Sequence, residues 1–160
     1  MGQPHTESTD SAAARRAGPQ DAGTVADILI RSRRAALGAI PAAVHSEAEI
    51  RGWVGAVVIP EREVWLMEEA GGRSLAVLVL DDDWVDQLYV DPEHTGRGWG
   101  TRLLELAKSR RPVGLQLWTF ATNTGAQRFY RRHGFAVAET TDGSGNEEKA
   151  PDIRFVWPAP

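Results

Sequence analysis

Thr95-Gly96-Arg97-Gly98-Trp99-Gly100-Thr101 places three glycines at alternate positions. They fall just after a β-rich run, Trp84 to Val90, that stops at Asp91-Pro92, and just before a stretch of helical periodicity. Glycine lets the backbone turn tightly and come close to a ligand. The helix that follows starts with free N–H groups and a partial positive charge, which suits an anion such as a pyrophosphate. Two phosphate-binding patterns fail on these residues. A dinucleotide fingerprint needs G-x-G-x-x-G and an acid about 20 residues on; here Thr101 takes the third glycine's place and the acidic position falls near Gln116. A nucleotide-triphosphate loop needs Gly-Lys-Ser/Thr, and Gly100 passes directly to Thr101.

The elements that must hold this turn are readable from period and punctuation. Ala13 to Ala17 suits a short strand closed by Gly18-Pro19, and residues from Asp21 onward, with Val25, Ile28 and Leu29, suit a helix ended by Gly38 and Pro41. Ser46, with Glu47 and Glu49 behind it, suits the N-cap of a second helix carrying Ile50, Trp53, Val54 and Val57 up to Pro60. Glu63 to Glu68 and Ser74 to Leu80 are strands around a Gly71-Gly72 turn, and Leu75 to Leu80 is apolar enough for a sheet centre. Trp84 to Val90 is the next strand, and Gly98 to Arg110 a helix stopped by Pro112. After it come a strand at Val113 to Phe120, a helix at Asn123 to His133 closed by Gly134, and strands at Phe135 to Thr140 and Asp152 to Trp157. Asp142 to Pro151 reads as a polar loop without structure. The order predicts a three-layer α/β domain on a mixed sheet over residues 13–160, behind a flexible polar leader at residues 1–12.

Composition narrows the function. A net charge of −4 with scattered basic residues argues against a nucleic-acid partner. No cysteine occurs, which removes thiolate metal sites and a cysteine nucleophile. His45 and His94 read as isolated, so no metal is assigned. No apolar run approaches the roughly 20 residues of a membrane span, and none resembles a signal peptide, so no membrane partner and a cytoplasmic setting are expected.

The glycine turn resembles the pyrophosphate arm of the GCN5-related N-acetyltransferase (GNAT) superfamily, usually Q/R-x-x-G-x-G/A, with Thr95 in the place of the usual Gln or Arg. Asn123, Ala126, Phe129, Tyr130, Gly134 and Phe135 resemble that superfamily's second cofactor segment. The resemblance implies a three-layer α/β/α domain whose mixed, mostly antiparallel sheet of about six to seven strands is splayed between the fourth and fifth. It also implies acetyl-CoA as co-substrate. Leu88, Tyr89 and Val90 would offer backbone groups to the pantetheine from a bulged strand, and Thr95 to Thr101, including Arg97 and Trp99, would cover the pyrophosphate. The N–H near Val90 would polarise the thioester carbonyl. Tyr130 would protonate the leaving thiolate, although helical spacing alone makes Phe129 and Tyr130 core aromatics. A homodimer is implied as well.

The acceptor must react unprotonated. A lysine-like amine of pKa ~10.4 is ~99.9% charged at pH 7, a cost of about 4.6 kcal/mol, against about 1.4 kcal/mol for an α-amine. Asp86, just before the expected bulge, is the best-placed carboxylate to take that proton, directly or through water; as a solvated acid it would only extend the Asp81 to Asp83 turn. Glu147 and Glu148 lie in a late loop suited to a cationic acceptor, and Trp84 and Trp118 flank the splayed strands as candidate pocket walls. Without cysteine, direct transfer to a primary amine of a small molecule or peptide is the expected reaction. A protein N-terminal or lysine acetyltransferase and a non-catalytic acyl-CoA-binding module stand as alternatives.

Overall fold

Leu75 to Leu80 is a run of six apolar residues, each at most 1% exposed, and only a strand covered on both faces buries such a run. It is the middle of β3 (Ser74–Asp81) in the computed structural model, which describes residues 12–160. The predicted leader lies outside the described residues except for Ala12. Around β3 the sheet has seven strands in the order β1-β2-β3-β4-β5-β7-β6. The others are β1 (Ala13–Arg16), β2 (Glu63–Glu68), β4 (Trp84–Val90), β5 (Leu115–Phe120), β6 (Ala136–Thr141) and β7 (Asp152–Trp157). All neighbours are antiparallel except β4 and β5.

Among the described residues, four α-helices, the second continued by a π turn, complete three layers. On one face, α1 (Ala22–Ala35) and α2 (Glu47–Trp53) pack Val25, Ile28 and Val54 against Leu66, Val77 and Val79. On the other, α3 (Trp99–Arg110) and α4 (Thr124–Arg132) pack Leu103, Leu104 and Tyr130 against Leu78, Leu117 and Phe155. Ser46 caps α2 as expected: its Oγ accepts from Glu49 N–H at 3.2 Å, and its own N–H donates to Glu49 Oε1 at 3.1 Å. The helix does not stop before Pro60. It widens into a π turn at Val54–Val58 and runs on to Glu61, which lets both Val54 and Val58 reach the core. β5 begins at Leu115 rather than Val113, because Val113 sits 95% exposed in the turn before it. No helix among the described residues is long and apolar enough to cross a membrane.

The corner between β1 and α1 is held by Asp21, only 6% exposed. Its carboxylate accepts two hydrogen bonds from Arg15 at 2.8 and 2.9 Å and one from Gly18 N–H at 2.8 Å. Arg15 holds the Asp21 pKa below the usual carboxylate range, against the effect of burial. A depressed folded-state pKa means that this stabilisation is complete above the unfolded value of about 3.9 and fades as pH falls through the folded value. Asp21→Asn should therefore lower stability by about 1–3 kcal/mol in urea denaturation at pH 7, and the difference from wild type should shrink in acid.

The β6–β7 loop corrects the sequence reading, for it is braced internally. Asn146 Nδ2 donates to Ala150 C=O at 2.7 Å and to Asp152 at 3.1 Å, and Lys149 Nζ donates to Ser144 C=O at 2.9 Å. Gly143, at φ +83°, is required there: a Cβ would lie 2.2 Å from the Ala150 carbonyl carbon.

Candidate active site

β4 and β5 meet at one pairing, Trp84 with Gln116, next to a hydrogen bond from Gln116 N–H to Asp83 C=O at 3.0 Å. The Gln116 amide also donates to the Asp83 carboxylate at 3.0 and 3.2 Å. Beyond this junction the strands part, which is the expected splay. Val85 pairs with Leu80 and Gln87 with Val79, leaving Asp86 as the unpaired residue of a bulge that bends β4. At the far end, Asp91 N–H donates to Leu75 C=O at 2.8 Å. Alternation along an antiparallel ladder then turns the N–H groups of Val90 and Leu88 away from β3, toward the opening, and that of Tyr89 inward.

The glycine turn follows directly. Gly96 and Gly98 sit at φ +76° and +83°, the left-handed region that glycine enters without strain. Gly98 supplies no side-chain cap to α3, so the first-turn N–H groups stay open to an anion. A Cβ on Gly100 would stand 3.5 Å from Phe129 and 3.6 Å from Val90, which places the start of α3, the end of β4 and the middle of α4 side by side. Thr95 through Gly98, Arg97 included, are exposed, and Trp99 is half-buried against the core. Asn123 caps α4, accepting from Ala126 N–H at 3.2 Å. His133 Nδ1 faces Phe129 C=O at 2.8 Å and therefore carries the proton, so Nε2 accepts from the Thr101 hydroxyl at 3.1 Å. Thr101 thus keeps only its backbone N–H for a ligand.

Tyr130 is 8% exposed and packs edge-on to Phe129 and Phe135, with centroids at 5.1 and 5.4 Å. Burial, with Tyr89 nearby, pushes its phenol pKa well above 10. Asp86 is ion-paired with Arg62, whose guanidinium lies 5.4 Å over the Trp53 ring. Burial raises the Asp86 pKa while Arg62 opposes the rise. His94 is not isolated, contrary to the sequence reading: its ring, Asp91 and Glu93 bring ligand-type atoms within 4.8 Å of one another. Both Asp91 oxygens are nonetheless spent, on Arg31 and on Glu93 N–H.

Two cavities flank the opening. The first, about 550 Å³, lies between α1, α2 and β4, with Leu29, Arg33, Ile50, Trp53 and Gln87 among its walls and Glu147 and Glu148 beside them. The second, about 650 Å³, lies over β5 and the β6–β7 loop and includes Trp118, Phe120 and Glu148. Glu148 is shared by both. Trp84 and Trp118 stack on each other at 6.4 Å with an interplanar angle of 8°. His45, also read as isolated, bridges Glu49 at 3.3 Å and Glu147 at 3.0 Å across the rim of the first cavity. The sequence assigned no cavity role to Arg33 or Gln87, and Ile50 and Trp53 read there as positions on one side of a helix, since nothing local distinguishes a wall of a cavity from a wall of the core.

Comparison with known proteins gives the class. Residues 60–137, just under half of the chain, match the family model of the acetyltransferase (GNAT) domain. Peptidyl-lysine N-acetyltransferase YjaB of Salmonella typhimurium is 27% identical over 100 residues, covering 62% of this chain and 68% of that protein. An uncharacterised N-acetyltransferase of Methanocaldococcus jannaschii is 31% identical over an alignment of 103 residues that covers 49% of this chain; the chain spans about half of that relative's length, 46%. Among solved structures, the apo form of YjaB from Escherichia coli superimposes with a TM-score of 0.74 at 23% identity, covering 91% of this chain and 97% of that one.

Proposed function

We propose that this protein transfers an acetyl group from acetyl-CoA directly to a primary amine of a small molecule or peptide. The observation that carries the reading is the uncapped start of α3 behind Gly96 and Gly98, set beside a strand whose Leu88 and Val90 N–H groups face an opening in the sheet. A diphosphate fits the first, and an extended pantetheine the second. Bound acetyl-CoA supplies a thioester-activated acetyl group.

Around that group the protein's residues divide the work. The edge of β4 at Leu88 holds the pantetheine as an added strand, and Thr95 through Thr101 surround the diphosphate. Asn123, Ala126 and Phe129 line the cofactor from α4. Val90 N–H donates to the carbonyl oxygen as it gains charge when the neutral amine attacks. The C–N bond forms, the C–S bond breaks, and Tyr130 gives its proton to the departing sulfur. Asp86 takes the proton released by the amine, through water, aided by its raised pKa. Trp84, Trp118 and Glu147 belong to the acceptor side. Assembly as a homodimer, which the family resemblance implies, and a cytoplasmic setting, expected from the sequence's lack of a signal-like or membrane-spanning run, belong to the same proposal.

The test is release of free CoA thiol from acetyl-CoA across a panel of primary amines. Release that depends on the amine supports transfer. Tight acetyl-CoA binding without release for any amine would instead favour a non-catalytic acyl-CoA-binding module. The YjaB relative's name makes peptidyl-lysine a second acceptor class for the panel.

A further inference from the structure

We infer that the acceptor is a free amine on an apolar body that carries no carboxylate. The inference rests on the acetyltransferase reading and comes from the charged and apolar residues that line the 550 Å³ cavity. Its lining includes Gln87 on β4, one residue before the strand segment that faces the opening, so an amine in the cavity lies beside that segment. In the same lining Glu148 and Arg33, 19% and 21% exposed, lie 3.8 Å apart. Leu29, Ile50 and Trp53 form an apolar belt in the same lining, with the exposed Val44 beside them. At the mouth, the exposed Glu49 and Glu147 share the single His45.

The charges decide the chemistry. Three carboxylates face one guanidinium and one imidazole, so the cavity stays net negative whether His45 is protonated or not. Arg33 is paired with Glu148 at 3.8 Å and lies near the Tyr89 phenol, its buried Nε without a partner, and its one positive charge is outnumbered by the three carboxylates around the cavity. An amino acid would bring its carboxylate among these glutamates at a cost in affinity. A polyamine would satisfy the glutamates but leave the Leu29, Ile50 and Trp53 belt wet. The volume falls in the range of pockets that hold drug-sized ligands, more than one lysyl stem fills. An arylalkyl or branched alkyl amine meets both demands.

The experiment measures binding of four probes to the protein saturated with CoA, by calorimetry: 2-phenylethylamine, phenylalanine, 1,5-diaminopentane and an N-acetyl-lysine amide. We expect 2-phenylethylamine to bind at least tenfold tighter than each of the others. Phenylalanine binding equally well or better would overturn the inference through its charge argument, 1,5-diaminopentane through its apolar argument, and the lysine amide in favour of peptides. Glu148→Gln should shrink the preference over phenylalanine at least threefold. Glu147→Lys, at an exposed loop position where folding is not at stake, should shrink it as well, and an unchanged preference in both variants would overturn the inference. Thiol release is followed on the same samples: its absence with all four probes sinks the transfer reading, whereas a lost ranking with release intact sinks this inference alone.

Discussion

Gly98→Asp should weaken acetyl-CoA binding at least 100-fold, about 2.7 kcal/mol, while the protein stays folded. Gly98 occupies φ +83° immediately before Trp99, the first residue of α3. Asp is among the few non-glycine residues that tolerate this region, so the backbone cost stays small. Its carboxylate would occupy the place meant for the diphosphate and turn an attractive helix N-terminus repulsive. Calorimetry of acetyl-CoA binding gives the number, and thermal unfolding controls for the fold. A variant that melts like wild type and binds acetyl-CoA as tightly would remove the glycine turn from the cofactor site.

Tyr130→Phe should lower kcat by at least 100-fold and leave the acetyl-CoA KM within about threefold. Phe keeps the ring that packs edge-on to Phe129 and Phe135, so only the hydroxyl is lost. Because burial raises the phenol pKa, wild-type Tyr130 stays protonated through neutral and mildly alkaline pH. The alkaline limb of the wild-type pH–rate profile should therefore not come from Tyr130 below pH 10, the ordinary tyrosine value. Steady-state kinetics from pH 6 to about 10 measure both effects. An unchanged kcat in the variant would strip Tyr130 of the acid role and leave it a core aromatic.

What could be read from the sequence was whatever is decided within one element. The Leu75 to Leu80 run, the Ser46 cap with Glu49 three residues on, and the Gly96-Gly98 turn after a proline-stopped strand each depend on residues a few positions apart, and each is found where expected. The splay was legible only through family resemblance, since a single pairing between Trp84 and Gln116 leaves no local mark. The cavity proposed for the acceptor was largely illegible. Its walls come from α1, α2, β4 and the β6–β7 loop, and His45 and Glu147 meet across 102 positions of sequence. The β6–β7 loop itself read as formless because its order comes from side chains bonding to nearby backbone, as in Asn146 to Ala150, rather than from any hydrophobic period.

The lone junction of β4 with β5 gives the sheet the mechanics of a clothes-peg. Two stiff jaws, β1 to β4 and β5 to β7, are riveted at one end by Gln116, which grips Asp83 on one side and accepts from Arg154 at 3.2 Å on the other. Whatever slender chain is clipped between the free tips supplies the rungs missing from the ladder, so the catch itself becomes a structural member and tightens the grip that holds it.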